Sequence, residues 1–200
     1  MKTAFCFDLD GTITTTEILP CIASELDVTD EIATLTRLTM DGHVPFTDSM
    51  RLRCLILGQV SVERVHTVIE SIPLDSEIVN FINARTDQCF IITGNLDIWM
   101  EPLRQKLRCE WICSNASIAN NRLKLDHILD KGTAAANLRS RHSFDRYVAV
   151  GDGANDAPML EASDIGIAYG GVHAAATITT QNANLIVNSS DTLCNLLKAL

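Results

Sequence analysis

The chain has 200 residues, 25 acidic side chains against 16 basic ones, and a hydrophobic fraction of 46%. That length suits one domain, or a core with one inserted subdomain, and buries well over half of its unfolded surface; with an ordinary hydrophobic fraction and no low-complexity stretch, a compact globule rather than disorder is the expectation. The net charge of −9 argues against nucleic acid or an anionic membrane as the main partner, because both need clustered Lys and Arg.

In chain order, the first element is a short apolar strand at Thr3–Phe7, stopped by Asp8-Leu9-Asp10-Gly11-Thr12. This is how a buried strand ends in a polar turn. Its apolar run is too short for a signal-peptide core, and no later run reaches the roughly 18 apolar residues of a membrane helix. Residues 17–72 break the pattern: no strand is legible, and helical spacing predicts four pieces at 17–26, 30–40, Phe46–Leu57 and 62–71. On a helical wheel of the third piece, Phe46, Met50 and Leu57 fall within about 40 degrees of one another, with Arg53 in the same stripe and Arg51 opposite. A guanidinium in an apolar stripe needs a partner, so Arg53 is either a structural ion-pair member or a ligand for a substrate anion.

Beyond the insert, short strands are predicted at 89–92, 111–113, 147–150, 165–168 and Leu185–Val187, and helices at 76–85, 97–107, 132–139 and 192–200. A hairpin is expected at 117–125, turning at Asn120-Asn121. Strand–helix alternation implies a doubly wound α/β core with a mainly parallel sheet. The domain expectation is a core of 1–14 and 74–200, with a helical cap of 15–73 inserted after the first strand.

The seven cysteines are odd in number and form no Cys-x-x-Cys pair. Cys109 and Cys113 have only the solitary His127 near them in sequence, so no zinc site is expected. The thiols read as small core hydrophobes in a reducing compartment, and a cytoplasmic location is the expectation.

Ligands of open parallel sheets bind beyond the carboxyl ends of the strands. There the chain puts Asp8 and Asp10, then Thr93-Gly94-Asn95, then Lys131-Gly132 opening a helix, and then Gly151-Asp152-Gly153-Ala154-Asn155-Asp156. Residues two apart on an extended chain share a side, so Asp8 and Asp10 can face one pocket while Leu9 enters the core. Like charges in one pocket raise one carboxyl pKa, which splits a nucleophilic role from an acid/base role.

The segments FCFDLDGTIT, IITGN, DKGTAAANL and VGDGANDAPML resemble the four ordered motifs of the haloacid dehalogenase superfamily, and the resemblance spans positions 5–160. Within that superfamily the insert is similar to the four-helix cap of the phosphoserine phosphatase group on a Rossmann-like core. The resemblance implies a phosphomonoester hydrolase with Asp8 as covalent nucleophile, Asp10 as acid/base and Lys131 as charge clamp. It implies Mg²⁺ on Asp8, the backbone carbonyl of Asp10 and Asp152. Thr93, Gly94 and Asn155 are expected to meet substrate, with Asn155 and Asp156 also orienting Lys131 and the metal's waters. Asn155 or Asp156 is further expected to cap the helix from Ala157.

FTDSMRLR matches a Phe-x-x-Ser-hydrophobic-Arg-x-Arg pattern that makes Arg53 the binder of a substrate carboxylate, and Glu17 matches the binder of its ammonium; the alternative is that the two simply pair. The implied substrate is phosphoserine or a similar small phosphorylated metabolite. Another small phosphomonoester, phosphotransfer to an alcohol, or a non-catalytic role on this fold are the alternatives. One departure is plain: the group commonly has Ser-Gly-Gly where this chain has Thr93-Gly94-Asn95, so Asn95 narrows the pocket or recognises something else. GDGANDAPMLEASDIGIA also resembles the phosphorylation domain of P-type ion pumps, but those carry Asp-Lys-Thr-Gly-Thr and membrane helices. The segment 169–180 gives no clue to function.

Overall fold

A computed structural model describes residues 2–120 and 122–200. In chain order the elements are β1 (Thr3–Phe7), α1 (Ile18–Ala23), α2 (Thr29–Met40), α3 (Phe46–Leu57), α4 (Val62–Glu70), α5 (Ser76–Asn83), β2 (Cys89–Leu96), α6 (Glu101–Arg104), β3 (Glu110–Ala119) and β4 (Arg122–His127). There follow α7 (Lys131–Arg141), β5 (Arg146–Gly151), α8 (Ala157–Glu161), β6 (Ile165–Tyr169), α9 (Thr177–Gln181), β7 (Leu185–Val187) and α10 (Ser190–Ala199). Among the described residues the strands form one sheet in the order β4-β3-β2-β1-β5-β6-β7, parallel except for the β3/β4 pair.

The strand-end alternation divides the core in two. Phe5 and Phe7 of β1 point to the face covered by α5 and α10, where Phe81 meets both rings edge-on, at 5.1 and 6.1 Å between centroids. Ala4 and Cys6 point to the other face and pack with Leu138 of α7 and Met159 and Leu160 of α8. Small residues on that side let the helices approach closely, and Gly132 and Gly166 do the same against Pro158 and Leu160. Side-chain caps fix the helix starts: Ser61 for α4, Asp75 for α5, Asp130 for α7 and Ser189 for α10.

The doubly wound, mainly parallel architecture agrees with expectation, and three local expectations are corrected. The helix expected at 97–107 shrinks to α6, because Pro102 has no N–H to give to an earlier turn and Asp97 instead accepts from Ile98 N and Ala116 N. β2 runs on to Leu96, with a register shift that leaves Gly94 and Asn95 without partners between the Thr93–Cys113 and Leu96–Ser114 pairs. Third, β3 is much longer than 111–113 and leads into the expected hairpin; Asn120 turns there at φ 52°, while Asn121 lies outside the described residues. Four helices, α1 to α4, do occupy the stretch between β1 and α5.

All seven cysteines are free, and Cys6, Cys54, Cys89, Cys113 and Cys194 are buried. Among the described residues no helix is long and apolar enough to cross a membrane.

Candidate active site

The carboxyl ends of β1 and β5 are in register, Phe7 opposite Val150, and Asp8 N donates to Val150 O at 2.9 Å. Asp8 and Asp152 therefore leave the sheet side by side. Lys131, the first residue of α7, is 3% exposed and lies between two carboxylates, bonded to Asp8 Oδ1 and to Asp156 Oδ1, the latter at 2.5 Å. The other oxygen of Asp156 accepts from the backbone N–H groups of Asp152 and Gly153 at 3.0 and 2.9 Å. Asp156 thus orients both the lysine and the turn that carries Asp152. It does not cap α8 with its side chain, and neither does Asn155, contrary to expectation; the side chain is already committed to the preceding turn. A Cβ on Gly151 would collide with Asp156, which explains the glycine.

One carboxylate oxygen from each of Asp8, Asp152 and Asp156 lies within 4.8 Å of the others, and all three residues are buried. Burial pushes the Asp8 carboxyl well above the usual carboxylate range, Asp156 adds to this, and Lys131 opposes it. Burial does the same to Asp152, reinforced by Asp8 and Asp156. Lys131 is held above its ordinary value because the two aspartates outweigh its own burial. Three carboxylates against one ammonium leave buried negative charge uncompensated, and an all-oxygen donor set suits a hard divalent cation. The acidic cluster fits a metal ion.

Asp10 shares the cavity but not the cluster. Its Oδ1 accepts from Ile18 N at the start of α1, 3.0 Å, and its Oδ2 accepts from Asn95 Nδ2, 2.6 Å. Burial and then the charge of Glu17 push its carboxyl up to about 7.

The cavity over these groups is about 50 Å³ and is closed from above by α2 and α3, through Thr36, Thr39, Met40, Phe46, Met50 and Arg53. Glu17, Thr93, Gly94, Lys131 and Asn155 also line it, so every residue given a catalytic, metal or substrate role from the sequence except Asp156 reaches this one space. Gly94 has a role the sequence did not disclose: a Cβ there would strike the ring of Phe46, so the glycine admits α3 against β2.

Arg53 is 4% exposed; its Nη2 donates to Thr39 Oγ1 at 3.2 Å, and its Nε has no partner. Burial lowers its pKa, while Asp10 and Glu17 oppose that. No ion pair joins Glu17 and Arg53 among the described residues, and Glu17 Oε1 also lacks a hydrogen bond. Arg51 points outward toward Asp48, 3.7 Å away.

Sequence reasoning missed three contributors. Thr12 Oγ1 donates to Asp152 Oδ1 at 2.9 Å, and a hydroxyl directly after the Asp-x-Asp-Gly turn was a readable signal. Thr179 Oγ1 donates to Gly153 O at 2.6 Å. His173 Nε2 stands 3.4 Å from Glu17 Oε1 and 3.3 Å from Asp152 Oδ2, and the Glu17 carboxylate raises its pKa. The last two both lie in 169–180, the segment read as uninformative.

A family model described as haloacid dehalogenase-like hydrolase matches residues 5–161. A phosphoserine phosphatase of Archaeoglobus fulgidus is 27% identical over 180 residues, covering 84% of this chain and 52% of that protein. One from Methanocaldococcus jannaschii is 26% identical over 203 residues, covering 95% of this chain and 94% of its own. The chain thus spans about half the length of the first relative and nearly all of the second. A solved structure described as a phospho-aspartyl intermediate analogue of phosphoserine phosphatase superposes with a TM-score of 0.84 at 24% identity, covering 100% of this chain and 99% of that one.

Proposed function

The chain belongs to the haloacid dehalogenase-like hydrolases, and on that basis we propose that it is a Mg²⁺-dependent phosphomonoester hydrolase acting on phosphoserine or a similar small phosphorylated amino acid. The observation that carries the substrate reading is the pair of opposite charges on the cavity wall, half-buried Glu17 and buried Arg53, which do not pair with each other and whose Oε1 and Nε make no hydrogen bond, Glu17 having only His173 nearby at 3.4 Å. Buried polar atoms left unpaired are costly unless something else completes them. A zwitterion with an ammonium and a carboxylate completes both. The cover that α2 and α3 place over Asp8 supports a metabolite over a phosphoprotein.

Asp8 attacks phosphorus while Lys131 favours its ionised form and aims it. Asp10 gives its proton to the departing alkoxide and later takes one from the water that cleaves the aspartyl-phosphate. Thr93, the backbone at Gly94, and Asn155 offer donors to the phosphate oxygens, and Asp156 keeps Lys131 and the Asp152 turn in place. Asp8, Asp152 and the Asp10 carbonyl would hold Mg²⁺, which would supply positive charge to offset the repulsion between carboxylate and phosphate. Residues 15–73 serve as a cap over a core of 1–14 and 74–200, since Phe46, Met50 and Arg53 close the space into which Asp8 faces. Seven free cysteines favour a reducing, cytoplasmic setting.

The test is phosphate release across a panel of phosphorylated metabolites with Mg²⁺, paired with Asp8→Asn. O-phosphoserine is expected among the best substrates, and Asp8→Asn is expected to fold yet neither turn over nor form a trapped phosphoenzyme. Turnover near the wild-type rate in a verified Asp8→Asn sample removes the nucleophile assignment.

A further inference from the structure

Asn95 stands where the phosphoserine phosphatase group commonly has glycine, and its side chain is spent on Asp10. The amide orientation follows from the partner: a carboxylate has only acceptors, so the NH₂ of Asn95 faces Asp10 Oδ2, at 2.6 Å. Asn95 is itself fixed, because its Nδ2 and its backbone N both lie 3.2 Å from Thr93 Oγ1 and the residue is only 3% exposed. The irregularity in β2 carries it there, since Gly94 and Asn95 are the residues left without partners on β3. Asp10 is therefore gripped at one oxygen by the first N–H of α1 and at the other by a strand of the sheet.

We infer that Asn95 is a positioning residue for proton transfer, fixing Asp10 toward the oxygen that leaves phosphorus and thereby fitting the site to phosphate esters of alcohols. The inference rests on the phosphatase reading above. In the first step the Asp8 Oδ–P bond forms, the P–O bond to the alcohol breaks, and the proton on Asp10 passes to the departing oxygen. Neutral alcohol leaves and Asp10 becomes a carboxylate. A carboxylate accepts the Asn95 hydrogen bond more strongly than a carboxyl group does, so that bond strengthens as the proton departs. In the second step water attacks phosphorus, its proton returns to Asp10, and phosphate leaves with Asp8 regenerated. An alkoxide needs the proton to leave; a nitrophenolate does not.

The discriminating experiment measures kcat/KM, which reports steps through phosphoenzyme formation, for O-phosphoserine and for phenyl phosphates of similar size and graded leaving-group acidity. Two variants separate donor from bulk: Asn95→Gly removes both, and Asn95→Leu removes the donor while keeping nearly the same shape without adding charge. In both, O-phosphoserine and unsubstituted phenyl phosphate should lose roughly tenfold to a hundredfold, 4-nitrophenyl phosphate should change by less than about threefold, and the dependence on leaving-group acidity should steepen. An equal loss for every ester, or a loss in Asn95→Gly alone, overturns the inference while the phosphatase reading stands. A wild-type protein that releases no phosphate from any of these esters overturns both.

Discussion

Arg53 lies buried with one bond from its guanidinium, to Thr39, while Arg51, two residues earlier, is at the surface beside Asp48. If Arg53 holds the carboxylate of the substrate, Arg53→Ala should lower kcat/KM for O-phosphoserine by about 2 kcal/mol, near thirtyfold, and leave an aryl phosphate nearly untouched. Arg51→Ala should alter neither. Equal losses on both substrates together with a lowered Tm would make Arg53 a structural residue. At this scale the sequence was most informative where one residue type has one use: Asp8, Asp10, Lys131 and Asp152 all reach the cavity. It was silent where a side chain depends on distant neighbours. Nothing local to His173 or Thr179 announces that the chain returns past β6 to touch Asp152 and Gly153.

Helix α3 meets strand β2 where the Phe46 ring covers Gly94, and the fit depends on the glycine having no side chain. Gly94→Ala should push α3 away, cost about 1–3 kcal/mol of stability, and reduce activity by displacing Arg53 with the helix. Adding Phe46→Ala makes room, so the double variant should recover part of the Tm lost in Gly94→Ala. If thermal melts show the two losses simply adding, the contact does not couple the elements. Elements themselves were legible from periodicity for the sheet and for α2, α3, α5 and α7. The exceptions have local causes: Pro102 was present to warn against a helix over 97–107, but the β2 irregularity at Gly94-Asn95 arises from pairing with β3 and has no signature within the strand.

For the whole molecule, the clustered aspartates link metal, acidity and stability. Asp8, Asp10 and Asp152 have folded-state pKa values raised above the ordinary carboxylate range, Asp10 to about 7. The folded protein therefore binds the extra protons, and stability present at low pH is lost as pH rises, for Asp10 between about 4 and about 7. Metal-free protein should melt several degrees lower at pH 8 than at pH 5, roughly what a 1–2 kcal/mol change gives a chain of this size, and Mg²⁺ should flatten that slope by removing the share of Asp8 and Asp152 while leaving that of Asp10. A melting temperature in EDTA that is flat or rising across this range would contradict the electrostatic account. EDTA should likewise remove activity, with Mg²⁺ restoring it and Ca²⁺ restoring it poorly, because the larger ion accepts more ligands and looser geometry.

The free thiols have a practical consequence. Burial pushes Cys6 up to about 12 and Cys54 and Cys194 up to about 11, so in the native state they are poorly ionised and slow toward alkylating reagents. Cys21 and Cys54 belong to α1 and α3, whereas Cys6 lies in β1 and Cys194 in α10. The chain thus carries its own chemical clock, with separate hands for the helices above the cavity and the sheet below it. Pulse alkylation read by mass spectrometry would time their opening separately: if the helices lift without the sheet melting, Cys54 is modified well before Cys6, and simultaneous modification would mean that the two halves open only together.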